Sequence, residues 1–589
     1  MGDFRLFDLL KRHKENFDKP NALGAKVNGQ WITYSTDDFI NYANNISYGL
    51  LSLGVEKGDK IALMANNRPE WNFSDMGIMQ TGAINVPIYP TISEKDLEFI
   101  FNDAEIKFAF VSSEEIFEKV KTVAEKTGGI KGIFTFDEVK GATNYLELVE
   151  KGKAAKSELE SKLEEIKASI KSEELATMLY TSGTTGNPKG VMLSHNNLSS
   201  NFIAVRDLPP VEPHHKALSF LPLNHVFERM LTYLYMYLGV SIYYAESIET
   251  IGDNLKEVKP DAFSAVPRLL EKVYDKIVAK GAEAGGLKSK LFFWALNLGL
   301  EYELKGKGFW YDLQLKLANK IIFSKWREAL GGNVRVIVSG GAALNPRLAR
   351  VFTAAQVNVL EGYGLTETSP VIAVNTLDEG GRKFGTVGLV IDGVEVKIAE
   401  DGEILCKGPN VMMGYYKRPD LTAEVIDEDG YFHTGDIGIL EEGKYLKITD
   451  RKKEIFKTSG GKYIAPQMIE NRLKESPFIE QVMVVGEGKK FASALVVPSF
   501  LAFNEWGAKN GLKFSNNEQM IKIEKVIVEI QKHVDLINKD LASFETIKKF
   551  RLLPTEWTID AGELTPKLSL KRKIIKAANE GLIESMYED

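Results

Sequence analysis

The run Tyr180-Thr-Ser-Gly-Thr-Thr-Gly-Asn-Pro-Lys-Gly190 concentrates groups that hold an anion. Thr181, Ser182, Thr184 and Thr185 bring hydroxyl donors. Gly183 and Gly186 let backbone N–H groups come close, and Lys189 adds positive charge. This is not a Walker A loop, which needs glycine immediately before the lysine; Pro188 stands there. A second run, Glu361-Gly-Tyr-Gly-Leu-Thr-Glu367, suits a nucleotide. Gly362 and Gly364 permit a tight turn that presents the Tyr363 ring as a flat face for a base. Thr366 can donate to a phosphate, and Glu367 is a hard oxygen donor for Mg²⁺.

These runs need elements to aim them. The phosphate loop follows a strand-like stretch, Leu175–Tyr180, and precedes a helix opening near His195. Ser339-Gly-Gly-Ala-Ala-Leu344 follows the strand-like Val334–Val338, at the carboxyl end where α/β sheets bind ligands. The early chain alternates strand and helix: strand Lys60–Met64, helix Trp71–Thr81, strand Ala83–Pro87. That alternation predicts βαβ units around mostly parallel sheets flanked by helices. Glu150–Glu174, rich in Lys, Glu and Ala, reads as a solvated helix. Near Asp401 short strands dominate and predict a small β subdomain. The last stretch pairs strands Gln481–Val485 and Ala492–Val497 with helices at Ile521–Ile537 and after Lys571. The expected architecture is α/β, with a large N-terminal domain over residues 1–449. A small, mobile C-terminal α+β domain follows over 450–589, its boundary set where the charged run Asp450-Arg-Lys-Lys-Glu454 interrupts the strand pattern.

Bulk properties narrow the classes. The formal net charge of −7, with no long basic tract, argues against nucleic acid as a partner. A single cysteine, Cys406, fits a reducing compartment and reads as a buried structural thiol. The start shows no apolar signal region, and Met230–Ala245, too short to span a bilayer, reads as a buried helix and strand. A cytoplasmic protein without a transmembrane span is expected.

The phosphate loop resembles the signature loop of the adenylate-forming superfamily: acyl-CoA synthetases, luciferases and adenylation domains of peptide synthetases. Further segments match in order. Leu221-Pro-Leu-Asn-His-Val-Phe-Glu-Arg229 resembles the segment between nucleotide and acyl pocket, in the form most like long-chain fatty acyl-CoA synthetases. It places His225 near the acyl site. Gly340, Gly341 and Ala342 would lie along adenine. Tyr431-Phe-His-Thr-Gly-Asp436 resembles the family segment whose carboxylate accepts both ribose hydroxyls, and Arg451, matching the family's hinge, would reach the ribose. Lys457-Thr-Ser-Gly-Gly-Lys-Tyr463, with Gly460 and Gly461, matches the loop facing the coenzyme A tunnel.

The resemblance implies two half-reactions. A carboxylic acid and ATP give acyl-AMP and pyrophosphate; coenzyme A then takes the acyl group. ATP, Mg²⁺ on Glu367 and coenzyme A are the implied cofactors, and a medium- to long-chain fatty acid the implied substrate. The C-terminal catalytic lysine is ambiguous. In Leu564-Thr-Pro-Lys-Leu-Ser-Leu-Lys-Arg572 an ungapped match puts Ser569 at the lysine position, whereas a one-residue gap selects Lys571, with Lys567 two residues to the other side. An enzyme that loads a carrier protein, or a non-catalytic acyl- or nucleotide-binding relative, are the competing readings. Lys288–Arg327, rich in aromatics and lysines, has Trp310, Leu313 and Leu317 at helical spacing. It suits either peripheral contact with a lipid surface or packing on the large domain.

Overall fold

The computed structural model describes residues 4–181, 187–558, 561–564 and 570–588, with Lys509 described by its backbone only. Strand β1 (Lys60–Met64), helix α1 (Pro69–Gln80) and strand β2 (Ile84–Pro87) form the first βαβ unit, where alternation predicted it. Strands β3 (Leu175–Thr181) and β4 (Lys189–Ser194) follow in the same sheet, whose order is 414–415, β4, β3, β2, β1, 106–111, 132–135, 143–144. β1, β2 and β3 run parallel, and β4 returns antiparallel with Thr181 opposite Lys189.

A second large sheet holds β5 (Lys216–Ser219), β6 (Ala262–Ala265), β7 (Val336–Ser339) and β8 (Asn358–Gly364), all parallel to their neighbours in that series. Helix α2 (Val226–Leu238) lies between the two sheets. Its Val226, Met230, Leu231 and Leu234 join Trp71 and Phe73 of α1 in one buried core. Burying such side chains contributes about 1.5–3 kcal/mol each against exposure. On the opposite face of the second sheet pack α3 (Pro267–Glu283), α4 (Phe309–Ala318) with its neighbours, and α5 (Pro346–Ala354).

A four-stranded antiparallel sheet forms the small β subdomain and ends in β9 (Phe432–Glu441) and β10 (Tyr445–Arg451). A smaller α+β unit follows: α6 (Pro466–Leu473) and a sheet of Ile479–Val485, Ser493–Pro498 and Lys549–Leu552. Its third strand, parallel to the second, was not among the strands expected from the sequence.

Three expectations change. The helix placed in Glu150–Glu174 runs Tyr145–Ser169 and is not wholly solvated: Leu148 and Val149 are buried, and a Cβ on Gly152 would meet the Asn45 carbonyl oxygen at 1.8 Å. Gly362 and Gly364 belong to strand β8, and the turn begins only at Leu365. Only Gly364 is required by close approach, since its Cβ would stand 1.6 Å from the Pro370 carbonyl oxygen. The aromatics of Lys288–Arg327 divide. Phe292, Phe323 and Trp326 are core, whereas Phe309 and Trp310 are 73% and 74% exposed beside exposed Leu313 and Leu317. Cys406 is buried, as its apolar strand implied. Among the described residues, no helix is long and apolar enough to cross a membrane.

Candidate active site

The β3–β4 hairpin carries Thr181 and Lys189 at its tip, on facing strands. Ser182, Gly183, Thr184 and Thr185 lie outside the described residues. The Lys189 ammonium sits 5.0 Å from the centre of the Tyr415 ring, and the Tyr415 hydroxyl donates to Glu367 Oε1 at 3.0 Å. Glu367 stands in the short 3-10 turn Thr366–Thr368, directly after β8, and its carbonyl accepts from Met412 N–H. Tyr415 therefore joins the hairpin's cation to the candidate metal carboxylate. Spacing could not reveal Tyr415, because it comes from a distant strand that pairs with β4.

Among the described residues no group of three or more His, Cys, Asp or Glu could hold a metal. Glu367 alone still fits Mg²⁺, which binds through one or two carboxylates plus substrate phosphates rather than an all-protein cage.

A second constellation lies midway along β9, where Asp436 faces Arg451 at the end of β10. The Tyr363 hydroxyl donates to Asp436 Oδ2 at 2.8 Å, and Arg451 Nε is 3.3 Å from Asp436 Oδ1. Burial raises the Asp436 pKa, and the Arg451 charge and Tyr363 bond oppose that shift. The turn before Asp436 is shaped by Glu403, which accepts from Gly435 N–H at 2.9 Å and from Lys452 at 2.8 Å. Gly435 has φ +71°, in the left-handed region that favours glycine. Near the end of β10, Asp450 is buried and accepts from Arg451 N–H at 2.6 Å and from Gln467 N–H, at the start of α6, at 3.0 Å. Desolvation pushes its carboxyl up to about 7.

Gly340, Gly341 and Ala342 follow β7 at its carboxyl end. A Cβ on Gly340 would lie 3.2 Å from the Phe227 ring, so this turn rests on the first turn of α2. His225 caps α2, its Nδ1 accepting from Phe227 N–H at 3.1 Å. That bond fixes the ring against the helix end.

One residue of the second run escaped notice. Glu361, on β8 two residues before Tyr363, is fully buried and its carboxyl has no hydrogen bond among the described residues. Burial alone pushes it up to about 8. Its register partner on β7, Ser339, likewise has a buried hydroxyl without a partner. A glutamate within an apolar strand pattern was the available signal.

The small unit contributes less contact. Lys571 caps the helix Arg572–Ala578 and is exposed. Neighbouring Arg572 forks onto Glu470 of α6 at 2.6 and 2.7 Å and reaches Glu454 at 2.8 Å. Lys567 lies outside the described residues. Lys457, Gly460 and Gly461 form an exposed loop, with Gly461 at φ +78°. Among the described residues no hydrogen bond or ion pair joins Lys571 or this loop to Lys189, Tyr363, Glu367 or Asp436.

Comparisons with known proteins agree with the two-part architecture. Residues 11–416 match the AMP-binding enzyme family, and 453–589 the AMP-binding enzyme C-terminal domain. The chain is 34% identical over 571 residues to the long-chain-fatty-acid–CoA ligase FadD15 of Mycobacterium tuberculosis, covering 95% of this chain and 93% of that one. It is 32% identical to the peroxisomal long chain acyl-CoA synthetase 7 of Arabidopsis thaliana, covering 99% and 86%. Among solved structures, the anthranilate CoA ligase AuaEII with anthranoyl-AMP superposes with TM-score 0.72 at 17% identity, over 98% of this chain and 97% of that one. ATP-bound MatB of Rhodopseudomonas palustris superposes with TM-score 0.70 at 21% identity, over 99% and 100%.

Proposed function

Because this chain belongs to the AMP-binding enzyme family, we propose that it is an AMP-forming fatty acid–CoA ligase acting on medium- to long-chain acids. The observation that carries this reading is the convergence of Lys189, Tyr415 and Glu367 with Tyr363, Asp436 and Arg451 around one strand end, β8.

In the first step a carboxylate oxygen of the fatty acid attacks the α-phosphorus of ATP, and the bond to pyrophosphate breaks. The Lys189 charge and the hydroxyls of the phosphate loop hold the β- and γ-phosphates. Thr366 donates to the α-phosphate, and Asp436 accepts the ribose hydroxyls with Arg451 beside it. Tyr363 lies along the adenine with Gly340, Gly341 and Ala342. Glu361 is the nearest buried acceptor for a base edge. Glu367 would hold Mg²⁺ together with the phosphates, and the ion would supply positive charge against the two approaching anions. A C-terminal lysine, Lys571 or Lys567, adds to that offset; a charge ~4 Å away at effective dielectric ~20 contributes about 4 kcal/mol.

In the second step the coenzyme A sulfur attacks the acyl carbon and AMP leaves. Here the loop Lys457–Gly461 faces the thiol. With the junction at Asp450, the unit 450–589 turns between the steps, removing the lysine and bringing in the loop. The test is product analysis: Mg²⁺-ATP turnover that requires an acid and coenzyme A and yields AMP and pyrophosphate. ADP as main product, or a preference for acetate or benzoate over palmitate, overturns the reading. Turnover independent of coenzyme A but dependent on a carrier protein favours the carrier-loading alternative.

The enzyme acts in the cytoplasm, with α4 resting on a lipid surface. Exposed Phe309, Trp310, Leu313 and Leu317, flanked by Lys305, Lys307, Lys316 and Lys320, support that contact. Trp310→Ser with Leu313→Ser removes vesicle co-sedimentation at low salt without changing turnover of a soluble acid. Equal sedimentation of both proteins refutes it.

A further inference from the structure

Helix α2 is bound into both large sheets by its polar residues. Ahead of the helix, Asn224 Nδ2 donates to the carbonyls of Leu63 and Ile88, at the carboxyl ends of β1 and β2, at 3.1 and 2.7 Å. Ser264 of β6 donates to the Glu228 carboxylate, reaching the other sheet. Next comes Arg229, whose side chain is fully buried. Its Nη1 donates to Thr177 Oγ1 on β3 at 2.6 Å, its Nη2 to Asp75 on α1 at 2.5 Å, and its Nε to Tyr233 at 2.6 Å. Asp75 also accepts from Asn85 of β2 at 2.6 Å, and the guanidinium lies 5.2 Å from the Trp71 ring. Every member of this network is buried.

A buried ion pair is a poor device for stability alone, because apolar side chains of equal volume hold a seam as well or better. What a guanidinium supplies is a rigid planar fork that sets distance and angle among several partners at once. Here the fork sets β3 relative to α2. Thr177 lies on the same strand as Thr181, two pleat repeats before it, and Thr181 faces Lys189 across the hairpin. The same helix carries Phe227 against Gly340.

We propose that Arg229 is a positioning residue for nucleotide binding. Through Thr177 it fixes the β3–β4 hairpin, and so Thr181 and Lys189, against the turn that follows β7. This rests on the hairpin being the cradle for ATP phosphates, which saturation of the wild-type enzyme by ATP tests separately.

Two variants each strip one acceptor from the same guanidinium: Thr177→Val, which cuts the link to the hairpin, and Tyr233→Phe, which leaves that link intact. Kinetics and thermal unfolding are measured for both. Thr177→Val raises KM for ATP about fivefold to tenfold and leaves KM for palmitate within twofold. Tyr233→Phe lowers thermal stability comparably but leaves KM for ATP within twofold. Thr177→Ser, which keeps the hydroxyl, restores the wild-type KM. An unchanged KM for ATP in Thr177→Val, or an equal rise in both variants, assigns the network to structure alone and overturns the proposal.

Discussion

The proposed nucleotide half of the site and the proposed acyl-transfer half are built differently. Tyr363 is bonded to Asp436 and Tyr415 to Glu367, and all four are partly or fully buried. Lys571 and the Lys457–Gly461 loop are exposed, on a turn and a helix cap of the smaller unit. A site that binds the same nucleotide in every turnover gains from groups held in place, since no reorganisation is needed on binding. Groups that serve only one of two half-reactions must come and go, so they sit where few contacts hold them.

Four outcomes test that contrast, and the largest concerns the exposed lysine. Lys571→Ala slows acyl-adenylate formation about a thousandfold, the loss of about 4 kcal/mol of charge stabilisation, while thioester formation from supplied acyl-AMP stays near wild type. The two half-reactions are read separately by pyrophosphate release and by thioester yield. If Lys567→Ala gives this pattern instead, Lys567 is the catalytic lysine. If neither does, the exposed half carries no charge chemistry and the contrast fails.

Asp436→Asn keeps the side chain's shape and removes its charge. KM for ATP rises about tenfold to a hundredfold, the range expected for hydrogen bonds to a charged group. Both half-reactions suffer alike, because AMP is held through both. A loss confined to one half-reaction breaks the idea of a permanent nucleotide platform.

Gly461→Leu blocks the loop that faces coenzyme A and strains a backbone at φ +78°. Thioester formation falls about tenfold or more and adenylation is spared. Equal loss in both assays means that the loop serves the fold and not the thiol.

The last outcome is read on stability rather than on turnover. Glu361 titrates near 8 in the folded protein against the ordinary carboxylate range when unfolded. Below pH 4 both states bind the proton. As pH rises from there toward 8 the folded state retains it and the unfolded state does not, so wild-type stability falls by up to about 1.4 kcal/mol per pH unit. Glu361→Gln removes that loss, so the gap in Tm between variant and wild type widens in the variant's favour from pH 5 to pH 8. A constant gap places a partner on the carboxyl and undoes its reading as a waiting acceptor.

The legible part of the site is the part whose chemistry is local. Tyr363, Thr366 and Glu367 sit in one short run whose residue types suit a base, a phosphate and a metal ion, whereas Asp436 stood out only through the resemblance of its run to the adenylate-forming superfamily. The strands that carry Tyr363 and Asp436, β8 and β9, did not come out of the pattern, which took Gly362 and Gly364 for a turn. Tyr415 was not legible, because it reaches Glu367 only after its strand pairs with β4. Nor was the Thr177–Arg229 link, which joins residues on β3 and α2 across the seam. The insertion's aromatics show the same limit. Helical spacing marks Trp310, Leu313 and Leu317 as one face, but whether that face meets protein or solvent depends on what packs above it.

By itself, then, the sequence determined the chemistry and the order of its parts, because hydroxyl, carboxylate and amine keep their character wherever they stand and periodicity is set by neighbours along the chain. The tertiary structure alone decided which groups meet. It placed Tyr415 between Lys189 and Glu367, buried Glu361 with no hydrogen bond to its carboxyl among the described residues, and seated the Arg229 guanidinium among β3, α1 and α2. Burial and long-range contact arise only when distant segments close on one another, and that closure sets the electrostatics of every group inside.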